Sequence, residues 1–186
     1  MKFLMILGLI LGANPVVVGY HAGSTAQKES SPVTQKTKRL ELSIVTDRQK
    51  YKENSRIRLT AMLTNVDYVK DIFVYYRLGW GYLSSLTYTI RDASGKLIHP
   101  TVLADDLPFP IARDDNTYFV KLAPEHFLGT ALVGRLDQLN LRRPGKYSIS
   151  VEYHSPISST GVDLNNFWSK EDGTIRSNVV HIQVLP

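Results

Sequence analysis

The 186-residue chain contains no cysteine. Disulfides, thiolate metal sites and cysteine nucleophiles are therefore excluded, so whatever folds here folds by burial alone. Several motifs are missing too. There is no Gly-x-Ser-x-Gly elbow, no Gly-x-x-x-x-Gly-Lys phosphate loop, no His-Glu-x-x-His and no other histidine pair at helical spacing, so each of those chemistries lacks its residues. A catalytic group assembled from distant residues stays open as the weakest of the functional readings. Long amphipathic helical patterns and internal repeats are also absent, which removes helix bundles and solenoids.

The one long apolar run lies at the start. Met1-Lys2 precedes an uncharged stretch from Phe3 to Ala13, Asn14-Pro15 breaks any helix, and Ser24-Thr25-Ala26 offers small residues for cleavage. Those are the three parts of a secretory signal, and residues 1–26 are read as one. The competing reading is an uncleaved anchor, against which Pro15 interrupts a run already shorter than the roughly 20 residues that a spanning helix needs. Export places the protein in the periplasm or outside the cell, with no membrane span after cleavage. Residues 27–39 are rich in Ser, Thr, Gln and Lys and form a flexible polar spacer. The remainder, 40–186, is long enough for one domain to bury about two thirds of its unfolded surface.

What is present is period-two alternation. In Gly145-Lys-Tyr-Ser-Ile-Ser-Val-Glu-Tyr153, the residues Tyr147, Ile149, Val151 and Tyr153 face one way and Lys146, Ser148, Ser150 and Glu152 the other, as a half-buried antiparallel strand requires. Leu40–Ile44 alternates likewise. In Arg56–Asn65, the residues Ile57, Leu59, Ala61 and Leu63 face in, and Tyr51 in the polar connection before them is expected to fold back as a lid. Further strands are predicted at Asp71–Leu78, with Ile72, Val74, Tyr76 and Leu78 on one face, at Leu86–Asp92, Lys96–His99, Tyr118–Leu122 and Asn178–Val184, and between Phe127 and Leu141, where Gly129 and Gly134 argue against a helix. Asp92-Ala-Ser-Gly95 carries hairpin turn chemistry. Seven to eight short strands separated by turns predict an all-β, immunoglobulin-like antiparallel β-sandwich with Greek-key connections.

The pattern Leu141-x-x-Pro144-Gly145-x-Tyr147 resembles the late-strand entry of immunoglobulin-like sandwiches, in which a tyrosine hydroxyl bonds back to nearby backbone. Together with Tyr51–Asn65, Ile90–Lys96 and Val120–Pro124, it makes residues 40–155 similar to bacterial secreted immunoglobulin-like modules. Among these are the sandwich that precedes the catalytic domain of aspzincin metallopeptidases and the bacterial intracellular proteinase inhibitor family. The resemblance implies a fold and not a reaction, since no zinc helix follows the sandwich and the leader departs from an intracellular inhibitor.

Formal net charge is +5, of which only Lys2 falls in the leader. Basic residues crowd the front (Lys28, Lys36, Lys38, Arg39, Arg48, Lys50, Lys52, Arg56, Arg58) and are read as a solvated tail and outer strand face rather than a nucleic-acid site. Asp105, Asp106, Asp114 and Asp115 bracket a loop that could gather a hard cation, although not at the spacing of a calcium loop. Trp80 and Tyr82, with Phe167 and Trp168, either stack on a ligand or fold back as plugs over the sandwich ends. His99, His126, His154 and His181 are expected at the surface. No cofactor is implied. The sequence reading is an exported, non-catalytic, monomeric binding module for an unknown protein or glycan partner. A protein partner comes first, a carbohydrate bound by the loop aromatics second, and a peptidase-inhibitor-like role third.

Overall fold

Alternation in the two longest strands, ten residues each, organises everything else. The computed structural model describes residues 39–81, 84–100 and 118–186. The leader and, but for Arg39, the spacer lie outside the described residues. Those described form an all-β body: β1 (Leu40–Thr46), β2 (Lys50–Lys52), β3 (Arg56–Asn65), β4 (Ile72–Tyr75), β5 (Leu86–Asp92), β6 (Leu97–Ile98), β7 (Phe119–Leu122), β8 (Phe127–Arg135), β9 (Gly145–His154), β10 (Thr174–Arg176) and β11 (Val180–Leu185). Among the described residues no helix is long and apolar enough to cross a membrane.

One sheet is three-stranded in the order β1-β3-β8. The other runs β2-β11-β9-β5-β6, with β10 also on β9, and β4 pairs with β7 in a separate two-stranded ribbon. All pairs are antiparallel except β2 with β11. Ile57, Leu59, Ala61 and Leu63 of β3 share one buried cluster with Tyr147, Ile149, Val151 and Tyr153 of β9, joined by Leu40, Leu42 and Ile44 of β1. The sandwich thus closes on the faces that the period of two assigns.

Two devices hold the layers without covalent staples. Tyr147 Oη donates to the Arg143 carbonyl at 2.8 Å, so the ring that fills the core also fastens the corner through which the chain enters β9. On the far side, the strand partnering β9 is interrupted between β10 and β11. There the Val151 N–H donates to Ser177 Oγ at 2.9 Å, in place of a ladder carbonyl. The next residue, Asn178, is released toward the other sheet. Its amide accepts from Ile44 N–H at 2.8 Å and donates to Ile44 C=O at 3.1 Å, mimicking a peptide group and occupying the edge of β1.

The expected lid is present and gains a strand. Tyr51 is buried, and Lys50–Lys52 pairs parallel with Gln183–Leu185. Its hydroxyl donates to Asp47 Oδ1 at 2.7 Å, and burial followed by that carboxylate raises the phenol well above its ordinary range. The hairpin at Asp92–Gly95 forms with Gly95 at φ 83°, the left-handed region that glycine enters without strain. One facing differs from expectation. β4 ends at Tyr75, so alternation stops there: Tyr75 is buried and Tyr76, expected inward, is 46% exposed.

Leu59→Ala or Ile149→Ala, each emptying a filled core position, should cost about 2–5 kcal/mol in chemical denaturation, Tyr147→Phe about 1 kcal/mol, and His181→Ala, on an exposed position, close to nothing. Equal small effects at all four would contradict the assigned faces.

Candidate functional site

Where β3 runs out, the chain must turn into β4, and it does so around a buried polar residue. Asn65 is fully enclosed, and a buried amide needs partners for both ends. Its Nδ2 donates to the carbonyls of Lys70 (2.9 Å) and Leu122 (3.0 Å), and its Oδ1 accepts from Asp67 N–H (3.0 Å). Its own backbone pairs with the β7–β8 turn, through N–H to His126 C=O at 2.9 Å and through C=O to Glu125 N–H at 3.0 Å. Asp67 then braces the tip. One carboxylate oxygen accepts from Val69 N–H (2.9 Å) and Lys70 N–H (3.0 Å), and those backbone donors hold its acid strength above normal.

Between these braces stand Tyr68, 80% exposed, and Val69, 82% exposed, the two most exposed large apolar residues described. An aromatic and a β-branched side chain on a fixed backbone lose little conformational entropy when a partner covers them, a trait of residues that dominate protein interfaces. Neither was singled out in the sequence. The signal was the spacing Asn65-x-Asp67-x-x-Lys70, in which two Asx side chains can tie one short turn.

The residues expected to contact a ligand are placed differently. Trp80 (7% exposed) and Trp168 (9% exposed) belong to the core cluster, as the plug alternative describes. Trp168 Nε1 donates to Gly173 C=O at 3.3 Å, and its N–H donates to Phe73 C=O at 2.9 Å. Phe167 is half-buried and meets Phe119 edge-on, with ring centres 5.4 Å apart. Tyr82 and all four aspartates, Asp105, Asp106, Asp114 and Asp115, lie outside the described residues.

The long excursion between β9 and β10 is firmly pinned. Asn166 holds the Asp71 carbonyl and the Arg39 guanidinium with its side chain and Phe73 N–H with its carbonyl (3.0 Å). Glu171 accepts from Ser159 N–H (2.8 Å) and Ser158 Oγ (2.7 Å), which depresses its pKa to about 2. The outward residues of this loop are polar. An open groove of about 480 Å³ lies along the β1–β11 seam, with Val45, Arg48, Asn178, Val179 and His181 on its walls. No cluster of three or more His, Asp or Glu side chains positioned for a metal occurs among the described residues. His99, His126 and His181 are exposed, and His154 is half-buried with its imidazole driven toward the neutral form by desolvation.

The tip should respond to acid in a defined way. Because Asp67 has a depressed folded pKa, its bracing is complete above the ordinary value of 3.8 and is lost only as pH falls through a lower one. The amide resonances of Val69 and Lys70 should therefore titrate together with a midpoint below 3.8, whereas a midpoint at or above that value would contradict the bracing. No protein-family model matches this chain, and no curated protein proved similar to it.

Proposed function

We propose that this protein is an exported, non-catalytic binding module that recognises another protein, with the Asn65–Lys70 tip as its contact element. The observation that carries the reading is the pairing of rigidity with apolar exposure. Tyr68 and Val69 stand in solvent on a turn held by five side-chain hydrogen bonds from Asn65 and Asp67. A tip that served only to connect β3 and β4 would gain nothing from displaying these side chains. Export rests on the leader read in residues 1–26. The immunoglobulin-like kinship belongs to the same proposal and is supported by the Tyr147 corner and by the pairing of late strands β9 and β11.

A protein partner is favoured over a glycan because both tryptophans are enclosed in the core, whereas the exposed pair sets a branched aliphatic side chain beside a single phenol ring. A peptidase is the partner class that the resemblance to the proteinase inhibitor family brings in, and it belongs in the test.

The test compares the full chain with a Tyr68→Ser/Val69→Ser double variant as baits for envelope and secreted proteins, including peptidases. The variant should keep its melting temperature and lose its partner, with affinity falling by about 100-fold or more, since residues that anchor an interface cost at least 2 kcal/mol on truncation. Equal capture by both baits, or capture no better than with an unrelated sandwich, would overturn the proposal.

A further inference from the structure

The three-stranded sheet has two edges, and they are treated differently. At β1 the edge is occupied by Asn178, whose amide holds both backbone groups of Ile44. At β8 no described strand pairs with the outer edge along all nine residues, Phe-Leu-Gly-Thr-Ala-Leu-Val-Gly-Arg. This strand carries no proline, its only charge is the terminal Arg135, and it pairs with β3 without a bulge from Phe127 to Arg135. Edges of this length are ordinarily blunted by charge, proline or irregularity, because they template the addition of a strand.

The phase of the free groups follows from the ladder. Asn65 N–H bonds His126 C=O at one end, and Leu136 N–H bonds Ser55 C=O at the other. Bonded pairs alternate along an antiparallel ladder. Residues 128, 130, 132 and 134 therefore turn their backbone groups toward β3, while Phe127, Gly129, Ala131, Val133 and Arg135 turn theirs toward the open edge.

We propose that this edge pairs antiparallel with β8 of a second copy of the chain, about a two-fold axis at Ala131, joining the two three-stranded sheets into one of six strands. The occupant is argued from the strand's fit to itself. In the register that uses its whole length, Leu128 lies opposite Gly134 of the second copy, Gly129 opposite Val133, Thr130 opposite Leu132, and Ala131 opposite Ala131. Bulk meets a glycine at Leu128–Gly134 and at Gly129–Val133, the axis pairs two small alanines, and no like charges meet. At the ends, Phe127, 62% exposed, faces the guanidinium of Arg135, a cation–π pairing. The open-edge residues 127, 129, 131, 133 and 135 fall opposite one another in this register, so every free N–H and C=O meets its complement. Such a contact is isologous and closes at two copies, so it does not propagate into a fibre. It replaces the monomer expected from the sequence.

Sedimentation equilibrium of the full chain should show a dimer at about 50 μM. Ala131→Lys, which puts like charges opposite each other on the axis, should raise the dissociation constant at least about 100-fold, and Val133→Lys should weaken it similarly. Both side chains point into solvent in the single copy, so melting temperature should be retained. Val45→Lys, in the same cross-strand row as Ala131 but on the β1 edge, should leave the dimer intact. Amide exchange gives an independent readout: the N–H groups of residues 127, 129, 131, 133 and 135 should be protected in the wild type and exposed in Ala131→Lys, while 128, 130, 132 and 134 stay protected in both. A wild type that is monomeric up to about 200 μM, dissociation by Val45→Lys, or odd-numbered amides as fast in the wild type as in Ala131→Lys would each overturn the proposal.

Discussion

Burial of the inner face of β3 against the inner face of β9 is the interaction on which the rest of the molecule depends. Each strand contributes alternate apolar residues along ten positions, and without cysteine nothing covalent substitutes for that contact. At about 25 cal/mol per Å² of apolar surface removed from water, rows of Leu, Ile, Val and Tyr on each side supply the main favourable term. The polar residues admitted to the interior are few, and apart from the Trp80 indole N–H and the Tyr153 hydroxyl, which have no partner among the described residues, their side chains are hydrogen-bonded. Asn65 ties the β3–β4 turn, Ser85 Oγ donates to Arg77 C=O at 2.7 Å, and Ser169 pairs with Asp172.

The displayed tip is a consequence of the same construction. Because β3 ends on a buried asparagine, the following turn inherits fixed attachment points on β7 and on the β7–β8 turn. Its backbone is set by the core before its side chains meet anything. Tyr68 and Val69 can then stand in water without a floppy backbone beneath them. The excursion between β9 and β10 solves the opposite problem: its aromatic residues cover β4 and β7, and its polar residues face out. The rigidity of both segments comes from side-chain amides and carboxylates rather than from regular secondary structure.

Much of this architecture was legible in the sequence where one residue's neighbours decide its facing. β3, β5 and β9 follow directly from period-two alternation, the hairpin from Asp92–Gly95, and the corner bond from the Pro-Gly-x-Tyr spacing. Features that depend on remote partners were not legible. β2 exists because Val184 lies beside Tyr51, and the β10–β11 interruption exists because Asn178 reaches Ile44. Tyr76 was placed on the wrong face because alternation predicts facing only while a strand continues, and β4 ends at Tyr75. Trp80 and Trp168 carried two readings because a large ring serves a core or a ligand equally well until its neighbours are known. The tip was missed for a related reason, since Tyr68 and Val69 amid polar residues look like any loop until the bonds of Asn65 and Asp67 are seen.

The central claim is that apolar contact surface is held on an ordered backbone, and backbone ¹⁵N relaxation measures it most directly. Order parameters for Tyr68 and Val69 near the rigid value of about 0.85, matching β3 and β9, are the predicted result. Values below about 0.6, typical of a mobile loop, would contradict the account.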